Sequence, residues 1–533
     1  MSQPSAAVPI APTAGTAQAF RLAIVVALGG FLYGFDASII SGAITSIAAD
    51  FALSDWQMGL VVAAPTAAGI IAGGSAGPLS DRFGRKPVLL LIAILYTVSA
   101  GFSALAPDFF TITLARFIGG LGFGSLSLAP IYIAEISHPS QRGRMVSINQ
   151  LNIVVGFSAA YFANYVLLQT ASSGADWVDT IGLDSHTWRW MLGIELVPAG
   201  LYVLMLLRIP ESPRWLVLNN QSKRALAVIR KLTPGVDAER EVEEIRASHT
   251  SALEPFFKRL AKLMKPSVRL ALVVGLVLGV AQQITGVNAI YFYAPTIFEQ
   301  SGVGTNAAFV QAIWVGLTNV VFTLVAMFCI DRYGRRPLLL VGLFGVILSM
   351  AICAYGFKQA TFVVDDARAI EIENVELKTR LVPLEGVVYK NDVTFKRALR
   401  EYLSESELRE QQGQIIKAAI NIQPTLILIG ILGFVASFAV SLGPVMWVLL
   451  SEIFPNHLRG VGMAFIGVVN SAVSFMVQFI FPWQLSNWGS AITFLNYGVF
   501  AIIGLVLVYW LLPETKGKTL EELEADFTRG GQS

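Results

Sequence analysis

The stretch GPLSDRFGRK at residues 77–86 returns as DRYGRR at 331–336, and this repeated charged turn decides the fold. Each copy lies between two apolar segments of about 20 residues, the length of helix that crosses a bilayer. Two more motifs recur in the same order: AEISHPSQRG at 134–143 with SEIFPNHLRG at 451–460, and PESPR at 210–214 with PETKG at 513–517. Motifs that repeat in order at a large offset indicate an internal duplication. The sequence therefore predicts two similar halves that cross a membrane in the same orientation.

The composition is that of a chain embedded mostly in lipid. Of its 533 residues, 54% are hydrophobic and 14% are charged, and its mean hydropathy is +0.63. Soluble domains carry about 25% charged residues, so a water-soluble fold is excluded. We therefore predict an all-α membrane protein of twelve transmembrane helices, arranged as two six-helix bundles with pseudo-two-fold symmetry. The predicted spans are 22–45, 58–78, 87–107, 110–133, 146–168, 189–209, 268–290, 308–330, 337–357, 425–450, 461–482 and 489–511.

The loops between these spans fall into two sets that differ in charge. One set, at 46–57, 104–109, 299–307 and 483–488, contains no Lys or Arg. The alternate set carries Arg82, Arg85, Lys86, Arg142, Arg144, Arg332, Arg335, Arg336 and Arg459. Because cytoplasmic loops are enriched in Lys and Arg, both termini are predicted to be cytoplasmic.

Changes in composition set the predicted domain limits. These are a disordered cytoplasmic tail at 1–20, an N-terminal bundle at 21–210, a cytoplasmic helical linker at 211–266, a C-terminal bundle at 267–512 and a cytoplasmic tail at 513–533. A polar insertion at 358–417 interrupts the second bundle. It follows the ninth span, an odd number of crossings from a cytoplasmic N-terminus, so we expect it to lie outside the cell. Partial alternation at Ile370, Ile372, Val375 and Leu377, followed by a helix-like segment, predicts a small α/β cap there.

The near-neutral charge and the few cysteines and histidines argue against nucleic-acid binding and metal binding. A net charge of +2 gives no reason to expect nucleic acid as a partner. The two cysteines, Cys329 and Cys353, lie in apolar runs, and there are only four histidines, so we expect no metal site. No nucleophile–base set or phosphate loop is present, which argues against an enzyme or a bound cofactor.

Amide side chains inside the spans are the first candidates for ligand binding. Gln282, Gln283 and Asn288 flank Gly286 in the seventh span and precede Pro295, so this helix can break where amides line a cavity. Amides offer donors and acceptors without charge, which suits neutral hydroxyl groups. The alternative is hydrogen bonding between helices, worth about 0.6 kcal/mol per bond. Further candidates in other spans are Gln150, Asn319 and Asn470, with Trp447 as an apolar face for a ligand ring.

Two opposite charges inside the spans are candidates for energy coupling. Asp36 lies in the middle of the first span, and Arg116 lies in the fourth. Loss of water favours the protonated carboxyl group whereas a nearby guanidinium favours the ionised one, so a change in their contact can load and unload a proton. The alternative is a static buried ion pair.

Charges at the cytoplasmic ends of the spans occur at equivalent places in both halves. Such repetition predicts a gate in which charge networks join the helix ends in one state and part in the other, with interfacial anchoring as the alternative. The predicted gate residues are Asp81, Arg82, Arg85, Glu135, Arg142, Glu211, Arg214, Asp331, Arg332, Arg335, Arg336, Glu452 and Arg459.

The motifs together resemble those of the sugar porter family of the major facilitator superfamily. They are GPLSDRFGRK, ARFIGGLGFG, PESPRWL, QQITGVNAIYFYAP, GPVMWVLLSEIFP and PETKG, and only the N-terminal tail and the insertion are unmatched. The resemblance implies that the amides and Trp447 occupy the family's sugar-contacting positions. It also implies second-line contacts or gate positions at Tyr33, Gly443 and Tyr293.

The resemblance further implies proton coupling. Proton-coupled members have Asp at the position of Asp36, where passive members typically have Asn, and Glu195 matches a carboxylate of a proton-coupled member. Ser471 stands where many members have Trp, and Phe157 stands where a xylose-transporting member has Gln. The resemblance therefore does not extend to D-xylose specificity.

The sequence thus predicts a monomeric, multi-pass transporter of the cell membrane that imports a neutral hexose or pentose. Its partners are the sugar, the lipid bilayer and a proton, which is the coupling ion in place of any cofactor. A passive uniporter, a non-transporting sugar sensor and a transporter of polyols or quinate-like acids are the alternatives.

Overall fold

Within the described part of the chain, twelve helices are long and apolar enough to cross a membrane, which confirms the predicted fold class. The computed structural model describes residues 14–138, 141–232, 237–248, 256–364, 379–455, 457–516, 518 and 522. Its spans are Ala17–Asp50, Asp55–Phe83, Arg85–Ala104, Phe109–Ile136, Gly143–Ala171, Thr187–Leu206, Val268–Phe292, Thr305–Ile330, Arg335–Lys358, Pro424–Ile453, Arg459–Asn487 and Gly489–Leu511.

Four of the spans are interrupted. The fourth changes to a 3₁₀ turn at Gly122–Gly124, and the sixth breaks between Gly193 and Leu196. The seventh consists of Pro266–Ile284 and Val287–Phe292, continued by Ala294–Glu299, and the tenth of Pro424–Val440 and Leu442–Ile453. Because regular helix satisfies every backbone group in lipid, such breaks mark places where other groups take over those bonds.

The spans pack as two six-helix bundles. In the N-terminal half the first span packs against the fifth, and the fourth against the second and third. In the C-terminal half the ninth packs against the tenth and twelfth, and the seventh against the eleventh. The halves meet where the second span contacts the eleventh, the fifth contacts the eighth, and the first contacts the seventh. The limits at 210 and 267 stay predictions of where the domains divide.

Large apolar side chains cover the outside of the bundles. Phe110 is 73% exposed, Phe328 is 79% exposed and Trp510 is 78% exposed. Water would make so much exposed apolar surface unstable, whereas lipid tails accommodate it. The protein is therefore a multi-pass membrane protein.

The N-terminal segment differs from the predicted disordered tail at 1–20. A helix begins at Ala14 and runs without interruption into the first span, ending at Asp50. The segment AGTAQAF is rich in alanine, which has the highest helix propensity, and it continues an existing helix without a new nucleation step. Residues 1–13 lie outside the described residues.

Shorter elements complete the described chain. The segment after the sixth span forms four helices at Pro213–Leu218, Ser222–Leu232, Ala238–Ser248 and Phe256–Leu263. A short helix at Asp176–Thr180 precedes the sixth span.

The insertion, predicted at 358–417, occupies residues 359–423 between the ninth and tenth spans and contains both helix and strand. Strand β1 (Thr361–Phe362) pairs antiparallel with β2 (Ile420–Asn421). Between them lie a 3₁₀ turn at Val382–Leu384 and helices at Asp392–Leu399 and Glu405–Ala419. The helix-like segment is thus split, because the side chain of Ser404 caps a new helix. The predicted alternation at Ile370–Leu377 lies outside the described residues.

Candidate functional site

Four of the predicted sugar-binding amides form one hydrogen-bonded cluster in the C-terminal half. Gln282 donates from Nε2 to the carbonyl of Leu442 at 2.9 Å, and Asn470 donates from Nδ2 to Gln282 Oε1 at 2.8 Å. Gln283 donates from Nε2 to Asn470 Oδ1 at 3.2 Å, and Asn288 donates from Nδ2 to Gln283 Oε1 at 2.9 Å. The breaks at Gly286 and Ser441 bring the seventh and tenth spans into this cluster with the eleventh.

The cluster continues along the eleventh span through two residues that sequence reasoning missed. Ser474 Oγ accepts from Asn288 at 2.6 Å and from Gln478 Nε2 at 2.7 Å. Asn470, Ser474 and Gln478 are spaced by four residues, so they lie on one helical face, and this spacing was a signal in the sequence. Gln478 Oε1 also accepts from Thr66 of the second span at 3.0 Å, which ties the cluster to the other half.

Two residues predicted as second-line contacts or gate positions border the cluster. Gln282 Nε2 lies 3.3 Å from the carbonyl oxygen of Gly443. Tyr293 donates its hydroxyl proton to the carbonyl of Gln478 at 3.2 Å and is 1% exposed. These contacts hold the broken seventh span against the tenth and eleventh.

The remaining predicted sugar contacts stand apart from this amide network. Gln150 is exposed, and Trp447 is 41% exposed. Asn319 is buried and accepts from Thr323 at 3.5 Å, a long bond within its own helix. Tyr33 packs its ring edge against Phe123, with 4.6 Å between ring centroids. The structure thus joins the amides of the seventh and eleventh spans and leaves Gln150, Asn319 and Trp447 outside that network.

The charged residues predicted for coupling meet in the core of the N-terminal half. Arg116 Nη1 donates to Asp36 Oδ1 at 2.5 Å, and Arg116 Nη2 donates to the backbone carbonyl of Asp36 at 3.2 Å. Glu195 lies beside Asp36 at the break in the sixth span. All three residues are at most 2% exposed. Glu195 is the one carboxylate of the sixth span, and the helix is interrupted at this residue.

Charge balance distinguishes this trio from a simple ion pair. It contains two carboxylates and one guanidinium, so it is electrically neutral when it holds one proton. Asp36 and Glu195 lie within hydrogen-bonding reach of each other, and Arg116 Nε is buried without a hydrogen-bond partner among the described residues. Because an isolated charge is costly to bury, one proton on the trio would remove the cost of its uncompensated charge.

An aromatic path runs from this trio to the interface between the halves. Tyr33 lies beside Asp36, and its ring centroid is 6.4 Å from that of Phe157 in the fifth span. The ring centroids of Phe157 and Tyr291 are 5.1 Å apart, and Tyr291 belongs to the broken seventh span of the other half. Tyr161 in turn donates to the carbonyl of Tyr291 at 2.5 Å. A continuous set of side chains therefore connects the trio with the helix that carries Asn288.

Charged residues at the ends of the N-terminal spans form the first of two clusters. Arg85 donates to both oxygens of Glu135, at 3.1 and 2.9 Å, and to Asp81 at 2.7 Å. Glu211 accepts from the backbone N–H of Arg85 at 3.0 Å, and Ser212 donates to Glu135 at 2.6 Å. These side chains pair within their own half.

The second cluster repeats this arrangement in the C-terminal half. Arg335 donates from Nε to Glu452 at 3.1 Å, and Thr515 donates to the same carboxylate at 2.7 Å. Glu514 accepts from the backbone N–H groups of Arg335 and Arg336, each at 3.3 Å. Sequence reasoning missed Glu514, although PETKG repeats PESPR and Glu514 stands at the position equivalent to Glu211.

The glycine of each charged turn is required by this geometry. Gly84 has φ +104° and Gly334 has φ +92°, in the region that favours glycine. An added Cβ would lie 2.4 Å from a Glu211 oxygen at Gly84 and 2.9 Å from a Glu514 oxygen at Gly334. Each turn therefore needs glycine for two reasons. Its φ angle is positive, and a Cβ would collide with the carboxylate that binds the turn.

Other predicted gate residues lie outside these hydrogen bonds. Arg82, Arg214 and Arg332 are exposed, and the guanidinium groups of Arg82 and Arg332 lie over the adjacent rings of Phe83 and Tyr333. Arg459 Nε is buried without a partner among the described residues, and Glu452 pairs with Arg335. The side chains of Arg142 and Asp331 lie outside the described residues.

The two ends of the interface between the halves differ. We call the side of the charged turns the charged face and the side of residues 359–423 the insertion face. Near the insertion face Trp56 stacks on Trp483 at 5.6 Å, and a Cβ on Gly59 would lie 2.1 Å from the Phe479 carbonyl oxygen. Thr45 and Thr296 hydroxyls lie 3.3 Å apart across the same interface. The halves are therefore closed together at the insertion face.

Towards the charged face the second span leaves the eleventh. Gly59, Thr66 and Gly73 are spaced by seven residues, so they share one face of the helix. A Cβ on Gly59 would collide with the eleventh span and Thr66 bonds to it, but a Cβ on Gly73 or Gly77 would meet nothing within 4 Å. The space between the halves thus widens from Thr66 to the charged face.

The sequence profile of the family described as "Sugar (and other) transporter" matches residues 22–372 and 413–527. The chain belongs to this sugar transporter family. The match covers both halves and passes over 373–412, which lies within the predicted insertion. The resemblance to the sugar porters is thereby confirmed.

Several curated relatives of this sugar transporter are similar over nearly their whole length. The arabinose-proton symporter of Bacillus subtilis (strain 168) is 35% identical over 93% of this chain and 92% of the relative. The D-xylose-proton symporter of Escherichia coli (strain K12) is 31% identical over 95% of each chain. The glucose transporter GlcP of Staphylococcus epidermidis (strain ATCC 12228 / FDA PCI 1200) is 29% identical over 95% of this chain and 97% of its own.

Solved structures similar to this sugar transporter include the inward open conformation of the xylose transporter XylE from E. coli. That structure has a TM-score of 0.71 and 29% identity, covering 95% of this chain and 99% of XylE. The complex of XylE with 6-bromo-6-deoxy-D-glucose has a TM-score of 0.67 and 29% identity, covering 96% of this chain and 100% of that one.

Proposed function

We propose that this sugar transporter imports a neutral monosaccharide together with a proton by alternating access. The observation that carries the proposal is the buried trio of Asp36, Arg116 and Glu195, which needs one proton for neutrality. It lies in the half opposite the amide cluster, so a proton site and a sugar site stand on either side of a movable interface. Relatives named as arabinose-proton and D-xylose-proton symporters support the same activity.

In this proposal the amide cluster, Trp447 and Gln150 bind the sugar. The cluster's donors and acceptors now satisfy each other, and an incoming hydroxyl group exchanges these bonds for its own at little net cost. Trp447 and Gln150 are exposed, which suits first contact with a dissolved ligand. Asn319, Tyr33, Gly443 and Tyr293 contribute second-line contacts or gating.

Proton coupling then follows from the charge count of the trio. With water excluded, the trio holds one proton and is neutral. When the space between the halves opens towards the charged face, water stabilises the separate charges and the proton leaves. A change at the trio reaches the seventh span through Tyr33, Phe157 and Tyr291, which are in contact.

The charged face is the cytoplasmic one in this proposal, and both termini are cytoplasmic. The protein lies in the cell membrane and acts as a monomer, with the proton as its only coupling ion and without metal or cofactor. The two charge clusters form the cytoplasmic gate, and in the present arrangement the gate is open. Reclosure requires the clusters of the two halves to approach each other.

The test is sugar uptake into proteoliposomes by the wild type and Asp36→Asn, with a panel of hexoses, pentoses and polyols. A potential of 100 mV is worth about 2.3 kcal/mol per proton, so wild-type protein accumulates its sugar a few tens-fold. Asp36→Asn is expected to lose accumulation and keep sugar exchange, because Asn keeps the size of Asp and holds no proton. Asp50→Asn is the matched control, since Asp50 lies on the same helix and its amide oxygen still accepts from Trp188.

Each rival function predicts a different result. Accumulation that survives in Asp36→Asn contradicts coupling through this residue. Wild-type exchange without accumulation identifies a passive uniporter, and sugar binding without exchange identifies a sensor. Preference for a polyol or a quinate-like acid in the panel identifies that substrate class in place of a monosaccharide.

A further inference from the structure

The insertion is a folded unit fixed to the C-terminal half. Its described residues have their own apolar core, which includes Phe362, Phe395 and Ile415. Asp392 Oδ2 accepts from the backbone N–H of Ser490 at 3.1 Å and from its hydroxyl at 3.2 Å, which fastens the insertion to the start of the twelfth span. The insertion therefore moves with the C-terminal half.

The insertion also contacts the N-terminal half. Its helix Glu405–Ala419 packs against the first span. A cavity of about 70 Å³ lies at this contact, between the closed ends of the two halves. Its lining includes Thr45, Ala48, Asp55 and Met58 from the N-terminal half and Lys396, Arg400 and Leu408 from the insertion. The insertion thus lies across the seam between the halves.

A buried lysine stands at this seam. Lys396 is 7% exposed and donates from Nζ to Gln300 Oε1 at 2.9 Å, with Asp392 Oδ2 at 3.8 Å. Burial lowers the pKa of Lys396, while the charges of Asp392 and Asp55 oppose that shift. Asp55 begins the second span and lines the same cavity as Lys396, so a charge of the N-terminal half faces this lysine.

We propose that the insertion is a latch of the outer gate, in which Lys396 and helix Glu405–Ala419 hold the N-terminal half while the transporter is open to the cytoplasm. The latch rests on the proposed function, because alternating access requires the insertion face to open. When it opens, the insertion stays with the C-terminal half through Asp392. The packing of helix Glu405–Ala419 on the first span and the cavity shared with Ala48 and Asp55 are then lost, so the strength of the latch sets how often the outer gate opens.

The first test is a disulfide across the seam. In a background with Cys329→Ser and Cys353→Ala, the pair Ala48→Cys and Leu408→Cys is oxidised, and sugar exchange is measured before and after. We expect oxidation to stop exchange and a reductant to restore it. The control pair, Asp392→Cys with Ser490→Cys, joins the insertion to its own half, and exchange should survive its oxidation.

The second test needs no transport. Gly73→Cys in the same background reports the cytoplasmic opening through its rate of labelling by a hydrophilic maleimide. Lys396→Met should lower this rate about threefold, since a shift of that size corresponds to the loss of one partly buried charge contact. Lys390→Met, an exposed lysine of the insertion, is the matched control and should leave the rate unchanged.

The outcomes separate the latch from the transport proposal. A seam pair that fails to crosslink with either an oxidant or a short bis-maleimide overturns the latch, as does exchange that continues after crosslinking. Equal labelling of Gly73→Cys with and without Lys396→Met also overturns it. A reduced protein that moves no sugar contradicts the proposed function, whereas the labelling test still decides the latch.

Discussion

At the scale of the residue, sequence reasoning found the charges better than it found their surroundings. Asp36 and Arg116 are predicted neighbours because opposite charges inside membrane spans usually pair with each other. The structure has them in contact. Ser474 and Gln478 were overlooked because a single polar residue in a span is usually explained by a hydrogen bond between helices. Glu514 was overlooked because its role depends on a backbone turn that lies far earlier in the chain. The roles of all these residues stay predictions.

Removing one amide tests the sugar site. Asn470→Ala deletes the donor to Gln282 and the acceptor for Gln283, so bound sugar loses partners and KM should rise about tenfold. Initial rates of uptake measure this change. Asn487→Ala lies on the same span at its exposed end and should leave KM unchanged; an equal rise in both variants contradicts a specific sugar contact.

Removing one carboxylate tests the charge count of the trio. In Glu195→Gln, Asp36 and Arg116 balance each other without a proton, so sugar movement should take fewer protons with it. The measurement is the alkalinisation of the medium per sugar taken up, which is expected to fall. Unchanged stoichiometry would mean that Glu195 is not part of the proton site.

At the scale of the element, a proline follows two of the four helix breaks at the same distance. The break of the sixth span includes Ile194 and that of the tenth follows Val440, and these two residues lie four positions before Pro198 and Pro444. Proline has no N–H for the bond to that carbonyl, and its ring crowds it. The sequence predicted the break at Gly286, but the breaks in the fourth, sixth and tenth spans were missed because long apolar runs conceal such local signals.

The charged turn provides a test of stability. Gly334→Ala places a Cβ at φ +92° and 2.9 Å from Glu514, so it should destabilise the protein by about 1–2 kcal/mol. Gly74→Ala is the control, because a Cβ there meets nothing within 4 Å and alanine favours helix. Thermal unfolding in detergent should move in opposite directions for the two variants. A shift in the same direction would contradict the strain at the turn.

At the scale of the whole molecule, the apolar stretches predicted the twelve spans and the duplicated motifs predicted the two bundles. They did not predict which end of the interface is closed, because both arrangements use the same helices and differ only in contacts between halves. Nor did they predict that the insertion reaches the N-terminal half. Such contacts depend on how folded units meet, and no local pattern records them.

Close packing at the insertion face tests the balance between the two arrangements. A Cβ on Gly59 would lie 2.1 Å from a backbone oxygen of the eleventh span, so Gly59→Ala should disfavour closure there. The Gly73→Cys labelling rate from the cytoplasmic side should fall. Gly77→Ala, on the same span with no atom within 4 Å, should leave it unchanged. Faster labelling in Gly59→Ala would reverse our assignment of the closed end.

In the proposed orientation the insertion lies outside the cell, and in the proposed mechanism its contact surface with the N-terminal half exists in only one arrangement. Its last helix lies against the first span, and each belongs to a different half. A nanobody that touches both at once would bind the closed insertion face and lose half of its epitope when that face opens. Such a reagent would report the state of the protein in living cells from outside.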